Sequence, residues 1–300
     1  MLRPVGPLAV NRVLGAKGMR ISRKIAALII GSSLVLLAIS MVLWRVLGGA
    51  GLVMALTLFS GSILLALACV HDHLKAQQTK HHHDLIERTS HDYRQLEALS
   101  SLLWTLTPDL PLPRMRGWAA SPDFLKELAE IILATRPGLV VETGSGVSTL
   151  VAGYCLRRLG RGKIVSLDHD PKLAAATRAT LALHDLQEIA TVVDSPLTTV
   201  TVGGTPWRWY DTSSLRIDEP IDILVVAGPP GTTQALARYP AVPVFHGRLH
   251  DGSIILADDV KGEDERQIVS MWEREFGLAP DFVDTETGAC ILRRRKPAGA

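Results

Sequence analysis

Apolar positions along this chain fall into two regimes. From Ile25 to Trp44 there are twenty consecutive residues without Asp, Glu, Lys or Arg, and Val46 to Val70 forms a second uncharged run of twenty-five. At 1.5 Å rise per residue, twenty helical residues cover about 30 Å, the thickness of a bilayer core. Between the runs stand Arg45 and the small-residue stretch Gly48-Gly49-Ala50-Gly51. The pattern predicts two transmembrane helices joined in a hairpin over 25–70. Residues 71–111 read as a helical linker with a stripe at Ile86, Tyr93, Leu96, Leu99 and Leu103.

Beyond Pro111-Leu112-Pro113 the pattern becomes that of a soluble domain. Ser121-Pro122-Asp123 is a helix start, with Ser suited to the cap and Pro to the first turn. Apolar strands at 138–142, 163–168, 189–194, 222–227 and 253–258 then alternate with helices at 148–159, 171–183, from Thr233, and at 263–276. A terminal hairpin, 281–284 with 289–293, closes the series around Thr285-Glu286-Thr287-Gly288. This predicts an α/β fold: a Rossmann-like, mostly parallel seven-stranded sheet with helices on both faces and a C-terminal β-hairpin, preceded by two transmembrane helices. The expected boundaries are a basic cytoplasmic tail at 1–24, the hairpin at 25–70, the linker at 71–111 and the cofactor-binding domain at 112–296.

Charge adds orientation. Arg3, Arg12, Lys17, Arg20, Arg23 and Lys24 precede the first apolar run, with no acidic residue among them, and Lys75, Lys80 and Arg88 follow the second. Positive charge stays inside, so both termini and the folded domain are expected in the cytoplasm of a multi-pass inner-membrane protein. The net charge of +2 gives no reason to expect a nucleic-acid partner. Three unpaired cysteines (Cys69, Cys155, Cys290) suggest neither a disulfide framework nor a zinc site. The histidines of the linker, His71, His73, His81, His82, His83 and His91, read as a solvated helix face.

Candidate chemistry lies at the strand ends, where such sheets bind ligands. After the first strand comes Glu142-Thr143-Gly144-Ser145-Gly146-Val147-Ser148, a glycine turn opening a helix. Thr149 stands where a dinucleotide fingerprint has its third glycine. The second strand ends in Asp168, suited to two ribose hydroxyls, and the third in Asp194-Ser195, suited to an adenine. Together they favour an adenosyl group without a pyrophosphate. The run Ala227-Gly228-Pro229-Pro230-Gly231-Thr232-Thr233 lacks the lysine of a phosphate-binding P-loop, which excludes ATP hydrolysis there.

In these residues the chain resembles class I S-adenosylmethionine-dependent methyltransferases, in particular the bacterial O-methyltransferase-like family. The resemblance spans about Leu112 to Arg293. Besides the glycine run it rests on Arg116-Gly117-Trp118-Ala119-Ala120-Ser121-Pro122, Asp222 through Gly231, Arg238-Tyr239-Pro240-Ala241-Val242-Pro243, and Ile255-Leu256-Ala257-Asp258-Asp259. It implies S-adenosyl-L-methionine as cofactor, with Glu142, Gly144, Gly146 and Ser148 on the methionine side, Asp168 at the ribose, and Asp194 and Ser195 by the adenine. It also implies Trp118, Tyr239 and His246 as acceptor-pocket residues. Asp258 or Asp259, carboxylates at a strand end, is the candidate catalytic base, with capping of the helix near Glu263 as the alternative role. In metal-dependent relatives acids ending the fourth and fifth strands hold a divalent ion. Here the fifth-strand pair is present as Asp258 and Asp259, which could bind magnesium with waters, but the fourth-strand position is Ala227, so no metal ligand set is assigned. The expected activity is O-methyl transfer to a small-molecule or lipid-linked acceptor beside the bilayer. The rivals are a non-catalytic scaffold on the same fold and a nicotinamide-dependent oxidoreductase.

Overall fold

The computed structural model describes residues 23–294. The basic tail expected at 1–24 lies almost wholly outside them. The chain divides into two units, one ending at Glu87 and the other running from Arg88 onward.

In the first unit, helix α1 (Arg23–Leu106) is interrupted at Gly48, whose φ of 58° and ψ of −135° are non-helical. The break falls in the glycine run expected to form the turn. The second expected boundary, near residue 71, is missing. The apolar stretch passes into the polar one without a cap, because nothing between Val70 and Tyr93 is Gly or Pro. Among the described residues one helix, Trp44–Leu106, is long and apolar enough to cross a membrane. Two separate transmembrane helices are therefore not established. Most apolar side chains of the stretch, such as Leu37, Val46, Val53, Leu64 and Leu65, are exposed.

The second unit begins with the last turns of α1, where Gln95, Ala98, Leu102 and Leu106 are buried. Helix α2 (Pro122–Thr135) follows, then β1 (Leu139–Thr143), α3 (Val147–Leu159), β2 (Lys163–Asp168), α4 (Pro171–Leu183) and β3 (Ala190–Asp194). Next come β4 (Leu197–Val202), β5 (Thr205–Tyr210), β6 (Ile221–Val226), α5 (Ala241–Phe245), β7 (Leu249–Asp258), α6 (Glu263–Phe276), β8 (Leu278–Val283) and β9 (Ala289–Arg294).

Seven strands form one sheet in the order β3-β2-β1-β6-β7-β9-β8. The first five are parallel; β9 runs antiparallel to both β7 and β8. The expected Rossmann-like sheet with a C-terminal hairpin is therefore present. Strand order reverses between β1 and β6, the point at which a crevice opens outside the carboxyl ends. All five residues of β1 are buried, as a strand covered on both faces requires. One apolar core packs α2, α3 and the end of α1 on one face; the other packs α5, α6 and Trp209 on the opposite face.

Three local expectations change. The helix expected from Thr233 is only a 3-10 turn (Gly231–Thr233) and the five-residue α5, since Pro240 and Pro243 interrupt any longer run. Ser121 does not cap α2: its hydroxyl donates to Asp123 Oδ1 at 2.5 Å, and that same oxygen accepts from Phe124 N at 2.9 Å. A separate two-stranded sheet, β4 with β5, is inserted between β3 and β6. Its turn is Gly203-Gly204, with φ of 57° and 81°, the left-handed pair that a two-residue hairpin loop demands.

Candidate functional site

The carboxyl ends of β1, β2, β6 and β7 converge on one edge of the sheet. At the end of β1, Gly144 takes φ 96°, and its N–H donates to the Leu167 carbonyl at 2.8 Å, pinning the turn to β2. A Cβ there would meet the backbone of Ala227 and Gly228 at ordinary contact distance, so glycine is required by the left-handed φ and not by crowding. Gly146 is different: its φ of 167° is extended backbone open to any residue. Nothing lies within 4 Å of a Cβ built on it, so what glycine leaves there is room.

Thr149, at the position of the absent third glycine, is fully buried and has a definite task. Its hydroxyl accepts from Gly146 N–H at 3.0 Å and donates to Glu142 Oε2 at 2.5 Å. The loop is thereby fastened to the carboxylate at the end of β1. Glu142 is wholly buried, and its other oxygen, Oε1, has no partner. Burial raises its pKa, against the opposing hydroxyls of Ser148, Thr149 and Ser166.

Asp168, also buried, accepts from Ser145 N–H (3.1 Å) and Ser145 O–H (2.5 Å) on Oδ2, and from Asp170 N–H (3.0 Å) on Oδ1. Oδ1 retains capacity for a further donor, whereas Oδ2 already accepts two. Asp170, not Asp168, caps α4 through Lys172 and Leu173 N–H. Ser195 is buried with its hydroxyl unpartnered, and its N–H donates to the Asp168 carbonyl at 2.7 Å. Asp194 turns outward to a salt bridge with Arg178 at 3.1 Å.

At the end of β7, Asp258 and Asp259 diverge. Asp258 is 8% exposed, and its Oδ1 accepts from Thr287 O–H and Asp259 N–H, both at 2.8 Å. Burial, and then the neighbouring charge of Asp259, push its pKa up to about 6. Asp259 has φ 64°, and its carboxylate pairs with Arg238 at 2.5 Å. Arg238, itself buried, also donates to the Asp258 carbonyl at 2.9 Å and the Pro229 carbonyl at 3.4 Å, lacing the β6 loop to the end of β7. Ala227 offers no ligand atom, and among the described residues no three His, Cys, Asp or Glu side chains converge as a metal site.

The candidate acceptor residues scatter. Trp118 is 94% exposed, two residues beyond Arg116, whose guanidinium bridges Glu286 (2.8 Å) and Asp92 (3.1 Å). Tyr239 is core: its ring packs on Trp207 at 4.9 Å, its hydroxyl donates to Glu275, and its carbonyl accepts from Trp272. His246 packs on Phe276 at 4.9 Å, just before the start of β7 and thus at the sheet edge opposite Asp258. A mostly apolar cavity of about 540 Å³, lined by Leu96, Leu99, Leu103, Met115, Arg116 and Pro122 among others, lies between the last turns of α1 and the start of α2. The Arg116–Glu286 pair links its wall to Thr287 and hence to Asp258.

Sequence reasoning missed two residues here. Arg238 appeared only as part of a motif. Tyr210, at the end of β5, sits with its ring edge-on to His169 at 6.0 Å and its hydroxyl buried without a partner. Burial drives its pKa further above the phenol range, so it is a neutral donor.

Comparison with known proteins bears on the fold that carries these residues. Residues 141–260 match the model of a family described as a methyltransferase domain. No curated protein matches the chain. Among solved structures, the SAH-bound methyltransferase PaMTH1 of Podospora anserina superposes with a TM-score of 0.51 at 15% identity, covering 71% of this chain and 96% of that one. The O-methyltransferase of Bacillus cereus in complex with SAH gives 0.44 at 16% identity, covering 66% and 91%. The first likeness shows the fold, and the match to the methyltransferase-domain model falls on the part of it that carries the strand ends described above.

Proposed function

We propose that the chain is an S-adenosylmethionine-dependent O-methyltransferase, anchored to the membrane through α1, that acts on a small-molecule or lipid-linked acceptor. The observation that carries the reading is the convergence of Glu142, the Gly144 turn, Asp168 and Asp258 on one sheet edge, inside the segment matched as a methyltransferase domain.

The residues suit the cofactor. Orphaned buried atoms, Glu142 Oε1 and Ser195 Oγ, await donors and acceptors at the strand ends, and the space over Gly146 is open. S-adenosylmethionine supplies a methyl group already activated for displacement. Glu142 and Ser148 would hold its amino-acid end, Asp168 its ribose and Ser195 its base, with Asp194 reaching the base only on leaving Arg178. Ser145 holds the Asp168 carboxylate in one orientation, so little ordering remains to be done on binding.

For transfer to oxygen, the protein must align the acceptor and take its proton. Asp258 is the base: its pKa of about 6 leaves it mostly ionised at neutral pH yet far more basic than an exposed carboxylate. Asp259 positions it, held by Arg238. The apolar cavity beside Arg116 supports an acceptor with a sizeable apolar part. The interruption at Gly48 between two apolar runs supports a turn between two spans, and the basic residues flanking the runs support cytoplasmic termini. Incubation of the purified protein with methyl-labelled S-adenosylmethionine and a membrane extract tests the reading. Label should pass into the lipid or small-molecule fraction with wild type and not with Asp258→Asn. Equal transfer by both removes Asp258 as base, and no transfer by either counts against the enzyme.

A further inference from the structure

The inserted hairpin β4–β5 ends on a residue that the site as read so far does not use. Tyr210 is fully buried, yet its hydroxyl has no hydrogen-bond partner. Its surroundings are the cofactor edge itself. The ring meets His169, the neighbour of Asp168. The hydroxyl lies directly over Gly228, where any Cβ would collide with it, and the same spot borders the Thr143 carbonyl and the Gly144 Cα. Thr143 is not bonded to the phenol: its carbonyl accepts from Ala227 N–H at 3.1 Å and its hydroxyl donates to the Gly228 carbonyl at 3.0 Å. A buried donor left unpaired is destabilising, so its presence needs a reason outside the empty protein.

We propose that Tyr210 is a cofactor-binding residue contributed by the β4–β5 hairpin, its hydroxyl donating a hydrogen bond to the bound S-adenosyl amino acid at the seam between the Gly144 turn and the Gly228 loop. The proposal rests on the cofactor reading above and deepens it. Gly228 is then glycine to leave room for the phenol. The hairpin ties the site to the opposite core through Trp209, whose ring packs edge-on against Tyr210 at 5.1 Å. Phenylalanine at 210 would keep that packing and remove only the donor.

The test uses the full chain in detergent. Calorimetric titration with S-adenosylhomocysteine and S-adenosylmethionine is paired with a thermal scan of the unliganded protein. Tyr210→Phe should weaken both ligands about tenfold, as loss of one hydrogen bond of about 1.4 kcal/mol does, while the unliganded melting temperature stays equal or rises. Gly228→Ala approaches the same hydroxyl from the other side. It should also weaken binding, and its cost should shrink in the Tyr210→Phe background because the colliding oxygen is gone. Wild-type affinity in Tyr210→Phe overturns the proposal while leaving the cofactor reading intact, as does strict additivity of the two substitutions. A lowered unliganded melting temperature with unchanged affinity makes Tyr210 structural and overturns it too. Absence of any binding by wild type sinks the cofactor reading, and this proposal with it.

Discussion

At the scale of single residues, the two carboxylates at the end of β7 look equivalent in sequence and are not. Asp258 is buried with its pKa raised to about 6, while Asp259 is spent on Arg238. An acid whose folded pKa lies above its ordinary value of 3.8 binds more protons in the native state between about pH 4 and 6. Stability therefore falls as pH rises through that window, and the ionised form is the destabilising one at neutrality. Asp258→Asn should abolish most turnover yet stabilise the fold at pH 7, by at most about 3 kcal/mol. Urea denaturation of both proteins at pH 4 and pH 7 measures it: the gain should appear at pH 7 and vanish at pH 4. For wild type, turnover should fall on the acid side with an apparent pKa near 6. A second expectation concerns metal. With Ala227 lacking a ligand atom and Asp259 bound to Arg238, methyl transfer should persist in excess chelator. Loss of activity restored by magnesium would contradict it.

At the scale of elements, what fixes the site is a set of cross-links between strand-end loops. Arg238 joins the loop after β6 to the end of β7 through two carbonyls and a carboxylate. Arg238→Ala should destabilise by about 2–3 kcal/mol, the low end for a broken buried pair because Asp259 is partly solvated. Its equilibrium unfolding in urea is the measurement, and an unchanged midpoint would remove Arg238 as a brace. Asp123 plays a comparable part on the other side, accepting from Gln95 at the end of α1 and from Glu286 N–H in the β8–β9 turn. The inserted β4–β5 hairpin could have been found in sequence. Leu197-Thr-Thr-Val-Thr-Val202, Gly203-Gly204 and Thr205 through Tyr210 form two short alternating runs around a two-residue glycine turn. What hid it was its position between two βαβ units, where a crossover helix is the usual expectation.

At the scale of the whole molecule, the chain carries an apolar helical unit and a unit that includes the segment matching a methyltransferase-domain model. Side chains such as Leu37, Val46, Leu64 and Leu65 have little protein covering them. Water is a poor solvent for so long an uncharged stretch, and a bilayer is the natural one. Expressed in a bacterial cell, the full chain should sediment with membranes, resist extraction by high salt and alkaline carbonate, and be released by detergent. Recovery in the soluble fraction after carbonate would refute the anchor.

Local chemistry in the sequence determined much of this protein. Uncharged runs of bilayer length, β-rich apolar segments alternating with amphipathic ones, the Gly144 turn and the Asp170 cap all follow from forces acting within a few residues. The mostly parallel sheet and its C-terminal hairpin were legible for the same reason, since a βαβ series has few ways to fold. Tertiary structure alone decided what depends on long-range contact. It sent Tyr239 and His246 into packing, turned Asp194 to Arg178, separated Asp258 from Asp259, and brought Tyr210 over Gly228. Burial and hydrogen-bond partners are properties of neighbours distant in the chain, and they set whether a carboxylate is a base or a brace.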